Sequence, residues 1–356
     1  MTTAYLNRIA TAVPDFDVHG PFVGFAAEML ECDRTRGLFR RMARTSGISR
    51  RYSVLNPAAM EGDGTIDAAR FYTRGAFPGT AERMRVYEGS ARKLAFRALD
   101  RLGLSEEERA RVTHVVVTSC TGLYAPGLDF EVMDYLGLRR TVERTMIGFM
   151  GCYAAMNALK VARHIVRSEG DAVVLVLNLE LCTLHLQETQ DLEQVLSFLV
   201  FSDGCAASLV TGEETGLALD SFRSVVIPET RNLITWKVRD LGFDMLLSGR
   251  VPGEIARSLR RSAAEITGGR EAKEMDLWAV HPGGRSVLDA VEDGLGLGGE
   301  ALGASRHVLE CFGNMSSATV MFVLAQVMRA ARAGQSGCAM SFGPGLTAET
   351  LLFHAV

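Results

Sequence analysis

The sequence predicts an α/β fold built from two related halves, and three observations support this prediction. Apolar runs of strand length alternate with longer stretches of helical periodicity, which is typical of layered α/β proteins. Short motifs recur in the same order at nearly one spacing along the chain. The chain has 356 residues, of which 47% are hydrophobic, so it is long and apolar enough to bury a large core or two domains.

Five elements stand out in chain order. The longer strands are continuous runs rich in β-branched residues, which is expected of strands buried on both faces. The helices carry apolar residues at helical spacing. The predicted elements are a strand at 113–118, a helix at 154–166, a strand at 172–179, a short strand at 277–280 and a helix at 316–333.

The repeated motifs indicate a duplication. The segments HVVVTSCTG and DLWAVHPGG each place a glycine after a strand, and these glycines stand 162 positions apart. Cys152 and Asn314 both follow a glycine, and both begin a helix rich in small residues. These two residues are also 162 positions apart. Residues 134–138 (DYLGL) resemble residues 293–297 (DGLGL) at a spacing of 159. The alternative is that glycine-rich turns after strands are common in unrelated folds.

The duplication places a boundary near the middle of the chain. We predict an N-terminal half at residues 1–212, which carries the cysteine, and a C-terminal half at residues 213–356, which carries a histidine and an asparagine. Residues 213–232 mix glycine, glutamate, serine and proline, which is typical of a connection between two halves.

Composition and charge exclude several function classes. Lys and Arg total 38 against 42 Asp and Glu, and a net charge of −4 does not supply the basic field that nucleic-acid binding needs. No apolar run approaches the ~20 residues of a membrane span, and the N-terminus lacks the pattern of an export signal. The seven cysteines are an odd number without a CxxC motif or metal-ligand spacing, so we expect reduced thiols, no metal site and a cytoplasmic protein.

The duplication also predicts a reactive site. If a pseudo-twofold axis relates the halves, equivalent loops meet at their interface and bring Cys152 next to Asn314, with His281 at the end of a neighbouring strand. Cys152 begins a helix, whose positive N-terminal end stabilises a thiolate, and a nearby imidazolium would lower the thiol pKa further. We therefore expect an ion-paired nucleophile. Asn314 cannot titrate but donates N–H bonds to an oxyanion, and His281 can donate to the same oxygen.

Each of these residues also has a structural interpretation. A lone cysteine in an apolar segment is usually a small core residue. A histidine at the end of a strand is often a structural residue, and Asn314 before a helix fits an N-cap. The shared spacing is the observation that favours a catalytic role for Cys152 and Asn314 together.

At these residues the sequence resembles the chalcone-synthase-like type III polyketide synthases of the thiolase superfamily. The resemblance covers nearly the whole chain. The motifs GNMSSA and FGPGLTAE are specific to this family, whereas the related ketoacyl-ACP synthase III enzymes usually lack the proline that stands here as Pro344. The matching segments are 148–159 (GFMGCYAAMNAL), 201–210 (FSDGCAASLV), 278–292 (WAVHPGGRSVLDAVE), 310–324 (ECFGNMSSATVMFVL) and 341–349 (SFGPGLTAE).

The resemblance implies a thiolase-like five-layer αβαβα fold and a homodimer. It implies an acyltransferase without metal, flavin or nucleotide redox cofactor, whose substrates are malonyl-CoA and an acyl-CoA starter. Cys152 would take the starter, while His281 and Asn314 would promote decarboxylation of malonyl-CoA and hold the enolate oxygen. Repeated extension and cyclisation would then give a pyrone or a phenolic polyketide.

A substrate cavity is also implied, and its walls shape the product. Phe201 and Phe243 match the two gatekeeper aromatics that stand between the CoA side and the chain cavity in this family. The full set of implied cavity residues is Cys120, Cys182, His185, Phe201, Trp236, Phe243 and Pro344.

Several of these positions differ from the plant enzymes. Cys120 and Cys182 stand where plant chalcone synthases carry threonines, which resembles the bacterial tetrahydroxynaphthalene and phloroglucinol synthase branch. Trp236 stands where naphthalene synthases carry a tyrosine, and His185 lies at a variable position of a cavity-lining segment. Both side chains would reshape the cavity. The simplest interpretation of the two cysteines is cavity wall without chemistry.

The implied CoA site differs as well. Plant relatives use two lysines and an arginine near the N-terminus; here Arg41 matches the arginine, whereas Leu38 and Thr45 occupy the lysine positions. Arg44 and Arg40 are candidate replacements, because arginine binds phosphate bidentately; the alternative is that these arginines only form a solvated helix face. Gly283 leaves room for the substrate chain. We therefore predict CoA binding by Arg41, Arg44 and Gly283.

Two other functions stay open at the level of sequence. One is a single-condensation ketoacyl synthase that uses a carrier protein, and the other is a non-catalytic homologue that binds acyl-CoA. The GPG loop at residues 343–345 and Phe201 favour the iterative enzyme. The starter, the number of extensions and the mode of cyclisation depend on the shape of the cavity.

Overall fold

The structure, a computed structural model, describes residues 2–58 and 64–356. Its α-helices are α1 His19–Met29, α2 Asp33–Arg44, α3 Thr80–Leu102, α4 Glu106–Arg111, α5 Leu128–Leu136, α6 Ala154–Ser168, α7 Leu192–Val200, α8 Val251–Ile266, α9 Arg285–Leu295, α10 Gly303–Phe312 and α11 Ser317–Ala330. Its strands are β1 Tyr5–Ala12, β2 Phe16–Asp17, β3 Tyr52–Ser53, β4 His114–Ser119, β5 Glu143–Gly148, β6 Val174–Leu181, β7 Asp203–Thr211, β8 Leu217–Val226, β9 Ile234–Arg239, β10 Gly242–Leu247, β11 Leu277–Val280, β12 Ser336–Gly343 and β13 Thr347–Ala355.

The five elements predicted from the sequence are all present. The strand at 277–280 has the predicted bounds, and β4, β6, α6 and α11 lie within three residues of theirs. The last helix begins one residue late because Ser316 has a φ of +47°, which no helix accommodates.

Nine of the described strands form one mixed sheet in the order β11-β12-β13-β8-β1-β7-β6-β4-β5. β4 pairs in parallel with β5 and β6, and β11 pairs in parallel with β12. In the middle of the sheet, β1 and β8 pair only at Tyr5 and Leu6. The sheet therefore consists of two parts, one from each half of the chain. The two parts are joined only by the short pairing of β1 with β8.

Alternate side chains of the strands face different cores. Leu175 of β6 packs into a core with α1, α3 and α5, whereas Val176 packs into a central core with α6 and α11. In the second half, Ala339 of β12 faces the same central core, and Cys338 faces a third core with α8 and α9. The order of layers is helix, sheet, helix, sheet, helix, which confirms the predicted five-layer αβαβα fold.

The repeated motifs correspond to equivalent turns. α5 ends at Gly137 and α9 ends at Gly296, with left-handed φ angles of 63° and 65°. These are the glycines of DYLGL and DGLGL, and glycine is favoured there because it adopts this conformation without strain. Beyond them the halves differ, because the first contains strand β5 where the second contains helix α10.

The segment at 213–232 is not a simple connection. Most of it is strand β8, which pairs with β13 over nearly its whole length. Leu217, Ala218 and Leu219 are buried there, and this apolar start outweighs the turn-forming residues around it. The turn between the halves lies between Thr211 and Leu217, and the boundary at 212/213 stays a prediction.

Two further observations bear on the chemical setting. None of the helices in the described residues has both the length and the apolar character needed to cross a bilayer. All seven cysteines are free thiols.

Candidate active site

Cys152 lies in a tight turn at the start of α6. Its neighbour Gly151 has a φ of +68°, and a Cβ at that position would lie 2.4 Å from Cδ of Pro344. Only glycine fits such an approach, because any side chain would be strained and would also clash. Cys152 is therefore held half-buried against the loop that follows β12.

Asn314 lies between α10 and α11, and its backbone is hydrogen-bonded to the other half of the chain. Its N–H donates to the carbonyl oxygen of Val200 at 2.8 Å, and its own carbonyl oxygen accepts from the N–H of Ser202 at 2.9 Å. Phe201 lies between these two partners and forms a β-bridge with Asn314. This bridge joins the second half of the chain to Phe201 in the first half.

The side chain of Asn314 has a defined orientation. Its Oδ1 accepts from the N–H of Ser316 at 2.8 Å, and its Nδ2 donates to the carbonyl oxygen of Gly283 at 3.2 Å. Hydrogen bonding to the side chains of Ser316 and Asn314 lowers the pKa of the Cys152 thiol. The structure therefore brings Cys152 and Asn314 close together, as the sequence predicts.

His281 follows directly after β11. Its N–H donates to the carbonyl oxygen of Met340 at 2.8 Å, which continues the parallel pairing with β12. The side chain is 1% exposed, and neither ring nitrogen has a hydrogen-bond partner among the described residues. Gly283, which Asn314 contacts, donates its N–H to the carbonyl oxygen of His281. The imidazole is therefore buried without a partner among the described residues, two residues before the glycine that Asn314 contacts.

Burial acts against the expected ion pair of Cys152 and His281. Burial and the charge of Glu180 raise the pKa of Cys152 to about 11, and hydrogen bonds from Ser316 and Asn314 offset only part of that increase. Burial lowers the pKa of His281 to about 3. Thiol and imidazole are both neutral, because desolvation disfavours each charged form and no contact between them offsets it. Both pKa shifts run against a thiolate–imidazolium pair, which stays a prediction.

A buried carboxyl group, which the sequence analysis did not identify, links the two halves behind the cysteine. Oε1 of Glu180 on β6 accepts from Ser317 at 2.6 Å, and its Oε2 accepts from Thr121 at 2.8 Å and from the N–H of Cys120 at 2.9 Å. Burial raises the pKa of Glu180, while these hydrogen bonds oppose the increase. The contacts tie β6, the loop after β4 and the start of α11 together. The only signal in the sequence was a charged residue within an apolar strand.

Cys152 opens onto a cavity of about 440 Å³. Five of the seven predicted cavity residues line it, together with the cysteine and residues from both halves. The lining residues are Cys120, Thr121, Gly151, Cys152, Cys182, Phe198, Phe201, Ile234, Thr235, Trp236, Met245, Ser316 and Pro344. Burial raises the pKa values of Cys120 and Cys182 well above that of a free thiol, so both are neutral wall residues.

Phe243 and His185 do not line this cavity. Their rings stack at 4.2 Å behind Trp236, whose ring meets each of them edge-on. The N–H of Phe243 donates to Nδ1 of His185, so the ring proton sits on Nε2, which donates to the carbonyl oxygen of Thr121 at 2.6 Å. Burial lowers the pKa of His185 to about 3, and the ring stays neutral. These two residues support the wall that Trp236 forms.

Met245 takes the place that the sequence analysis gave to Phe243. In the hairpin of β9 and β10, Met245 pairs directly with Trp236, whereas Phe243 pairs with Val238. Directly opposed residues of an antiparallel pair share a face, so Met245 and Trp236 both reach the cavity. The register of this hairpin was not readable from the sequence.

A separate groove of about 1360 Å³ reaches Val200 and Gly283, whose carbonyl oxygens accept hydrogen bonds from Asn314. The end of α2, helix α7, residues 247–252 and the start of α9 form it. Of the predicted CoA residues, Gly283 lines the groove, and Arg44 lines a neighbouring pocket. Arg41 is exposed on α2 and is not among the described residues that line either one. Arg285 lines both, and sequence reasoning missed it although it follows the HPGG motif.

Two family models cover almost the whole chain. Residues 4–214 match the N-terminal domain of chalcone and stilbene synthases, and residues 218–356 match the C-terminal domain. The chain belongs to the chalcone and stilbene synthase family. It is a type III polyketide synthase, which is an acyltransferase that condenses malonyl-CoA iteratively into polyketides.

Known relatives agree with this assignment. Bisdemethoxycurcumin synthase from Oryza sativa subsp. japonica is 32% identical over 339 residues, which are 89% of this chain and 83% of that protein. Alpha-pyrone synthesis polyketide synthase-like Pks18 from Mycobacterium tuberculosis is 34% identical over 259 residues, which are 69% of this chain and 66% of that protein. The crystal structure of PKS-I from the brown alga Ectocarpus siliculosus has a TM-score of 0.87 at 28% identity and covers 100% of this chain and 99% of its own.

Proposed function

We propose that this polyketide synthase loads an acyl starter from acyl-CoA onto Cys152 and extends it with malonyl-CoA in the adjoining cavity. The observation that carries this proposal is the hydrogen bonding of Asn314 to the Cys152 thiol, whose residue lines that cavity. Asn314 comes from the other half of the chain and also contacts the turn that follows His281. A thiol from one half of the chain therefore meets an amide from the other, and the unpartnered imidazole lies two residues before the glycine that the amide contacts.

Loading begins with attack of the Cys152 sulfur on the thioester carbonyl carbon of the starter. The new S–C bond forms as the C–S bond to CoA breaks, and His281 passes the thiol proton to the departing CoA sulfur. The neutral free state suits this role, because an unprotonated imidazole accepts a proton. The product is an acyl group held on Cys152.

Extension begins with malonyl-CoA. The bond between its methylene carbon and carboxylate breaks, CO₂ leaves, and the electron pair is delocalised onto the thioester oxygen as an enolate. Nδ2 of Asn314 and a ring nitrogen of His281 donate to that oxygen. The enolate carbon then attacks the Cys152 thioester and releases the sulfur. Because loss of CO₂ and the thioester carbonyl supply the carbanion chemistry, the residues need no cofactor for this step.

Repetition gives a poly-β-keto chain, and its closure in the cavity gives a pyrone or a phenolic ring. The test is mass spectrometry of products after incubation with malonyl-CoA and a panel of acyl-CoA starters. Products with two or more extensions support the proposal, whereas one extension only supports a ketoacyl synthase. No acyl transfer at all supports a non-catalytic homologue. A phenolic product from malonyl-CoA alone would support the tetrahydroxynaphthalene or phloroglucinol synthase branch.

Trp236 is expected to limit the length of the chain. Its ring lines the cavity, and its Nε1–H donates to the carbonyl oxygen of Cys120 at 2.6 Å. Trp236→Gly should enlarge the cavity and shift products to at least one additional extension, measured by mass spectrometry. Trp236→Phe keeps an aromatic ring and loses only the hydrogen bond, so it should retain the wild-type products. Identical product spectra for both variants and the wild type would reject this role.

We further propose that the enzyme is a homodimer joined along β5. Strand β5 is the last strand of the sheet and, within the described chain, pairs only with β4. Glu143, Arg144, Thr145 and Met146 are exposed, and an uncovered strand edge favours pairing with another chain. A second copy of the same edge satisfies its backbone groups with twofold symmetry.

This proposal predicts the effect of a charge on the strand edge. Met146→Glu should reduce the sedimenting mass from twice 38.6 kDa to that of a single chain, because like charges would face each other across the axis. Leu246→Glu is the matched control, since Leu246 is 42% exposed and Met146 is 45% exposed. A wild-type protein that sediments as a monomer at micromolar concentration would contradict the dimer.

A further inference from the structure

A buried, charged side chain lies next to the end of α7. Arg51 comes directly before β3, is 2% exposed, and holds its guanidinium carbon 4.5 Å from the centre of the Phe22 ring. Burial lowers the pKa of Arg51 to about 9, although the charges of Asp17 and Asp203 oppose that decrease. The guanidinium is therefore still charged at neutral pH. Because a buried charge is costly, its contacts must offset the loss of water.

Two of these contacts are with backbone oxygens of the α7 end. Nη1 of Arg51 donates to the carbonyl oxygen of Phe198 at 3.1 Å and to that of Phe201 at 2.5 Å. Its Nε donates to Nδ1 of His19 at 3.1 Å; burial and the charge of Arg51 lower the pKa of His19 to about 4, so that ring is neutral and can accept. The last carbonyl groups of a helix lack partners within the helix and form its negative end. Arg51 therefore acts as a C-terminal cap of α7.

The capped segment, residues 198–202, also holds Asn314. Its Val200 carbonyl oxygen accepts the backbone N–H of Asn314 at 2.8 Å, and its Ser202 N–H donates to the carbonyl oxygen of Asn314 at 2.9 Å. The β-bridge of Asn314 lies between these two hydrogen bonds, at Phe201. Both backbone groups of Asn314 are engaged by the capped segment, so a shift of this segment moves Asn314 with it.

The stem of Arg51 also packs against the turn between α10 and α11. Gly313 in that turn has a φ of +67°, and a Cβ there would lie 2.9 Å from Cγ of Arg51 and 2.9 Å from the carbonyl oxygen of Val200. Only glycine fits so close an approach. The next residue, Tyr52, donates its N–H to Oγ of Ser202 at 2.7 Å and accepts from that hydroxyl at 3.1 Å. Arg51 therefore lies between the end of α7 and this turn, in contact with both.

We propose that Arg51 is a positioning residue, which sets the place of Asn314 relative to Cys152 by holding the end of α7. It acts through backbone atoms and not on the reacting atoms. The inference rests on the proposed function, because it takes Asn314 as the donor to the enolate oxygen. Cys152 is placed by a different contact, the approach of Gly151 to Pro344. Loss of Arg51 should therefore impair decarboxylation, which needs Asn314, more than acyl loading, which needs Cys152.

Arg51→Met tests this division between the two activities. It should lower the kcat of malonyl-CoA decarboxylation about tenfold and leave the KM within about twofold, because a displaced donor stabilises the enolate less. Acyl loading, measured by intact-protein mass spectrometry with an acyl-CoA that loads the wild type, should stay within about twofold. Arg51→Lys keeps the positive charge and can still donate to one of the two carbonyl oxygens, so its loss of kcat should be only about threefold.

A double variant and a matched control identify the residue through which Arg51 acts. In an Asn314→Ala background, Arg51→Met should lower decarboxylation no further than about twofold, because the donor that it positions is already gone. Arg83→Met is the control: Arg83 is 0% exposed, and its Nη1 also donates to two backbone carbonyl oxygens, those of Leu184 and Leu186. Arg83→Met should leave the ratio of decarboxylation to acyl loading unchanged.

Three results would overturn the inference. The first is an unchanged rate of decarboxylation in folded Arg51→Met. The others are an equal loss of both activities and a further tenfold loss in the Asn314→Ala background, since each marks a general effect on the fold. Circular dichroism establishes folding, and if Arg51→Met is unfolded the same comparisons apply to Arg51→Lys. If neither variant folds, Arg51 serves the fold alone and the inference fails.

Hydrogen exchange distinguishes failure of the inference from failure of the proposed function. The backbone N–H of Asn314 should exchange about tenfold faster in Arg51→Met and at the wild-type rate in Arg83→Met, whether or not the enzyme turns over. If the wild type makes polyketides while Arg51→Met matches it in both rate and exchange, only the inference fails. If the wild type neither decarboxylates malonyl-CoA nor acquires an acyl group while exchange rises in Arg51→Met alone, only the proposed function fails.

Discussion

Cys152→Ala should abolish acyl loading, and intact-protein mass spectrometry after incubation with an acyl-CoA should show no mass increase. Chain extension should fall by roughly four orders of magnitude or more, because the removed sulfur forms the covalent intermediate. Decarboxylation of malonyl-CoA should persist, since Asn314 and His281 still hold the enolate oxygen. Separating the two activities in one variant distinguishes a nucleophile from a residue that merely supports the fold.

The chain offers a matched control for this experiment. Cys182 lines the same cavity and is a neutral buried thiol. Cys182→Ala should still acquire the acyl group. Acyl loading of Cys152→Ala at the wild-type level would show that Cys152 is not the nucleophile. Loss of loading in Cys182→Ala alone would show that Cys182 is the nucleophile instead.

Asn314→Ala should reduce malonyl-CoA decarboxylation by roughly two to three orders of magnitude, the usual effect of removing one donor to an oxyanion. The measurement is the rate of acetyl-CoA formation from malonyl-CoA. Acyl loading on Cys152 should remain measurable, because the nucleophile is intact. A decarboxylation rate near that of the wild type would reject the assigned role.

Asn314→Asp separates chemistry from structure. The aspartate keeps an oxygen for the N–H of Ser316, which Asn314 accepts at 2.8 Å, but it lacks the Nδ2 donor. It should lose decarboxylation as fully as the alanine variant. The aspartate variant should also keep the hydrogen bond from Ser316. The alanine variant loses this bond, and its free energy of unfolding should fall by about 1 kcal/mol. Equal destabilisation with normal decarboxylation would show that Asn314 is a structural cap.

The sequence was sufficient for the fold and for the candidate nucleophile and its asparagine partner. The glycine before Cys152 and the left-handed glycines at Gly137 and Gly296 are local requirements, and each is visible without a structure. The equal spacing of Cys152 and Asn314 followed from a duplication, which keeps equivalent turns at equivalent places.

Other features depended on contacts that no local pattern records. Phe243 was expected at the cavity, but the register of the β9–β10 hairpin places Met245 there. A charged Cys152 thiol was expected because a helix N-terminus and a nearby imidazolium lower a thiol pKa. Burial instead raises the pKa of Cys152 and lowers the pKa of His281. Arg285 stood unremarked in the sequence because its neighbours in the groove come from distant segments.

The sequence by itself predicted a layered α/β architecture and its duplication, because periodicity and turn chemistry act over a few residues. Its resemblance to a family implied the five-layer arrangement and supported the candidate reactive side chains. Only the tertiary structure decided which side chains face the cavity and in which direction burial shifts the pKa values of the buried groups. These properties arise from the mutual placement of segments far apart in the chain, through register, desolvation and the summed charge of neighbouring surfaces.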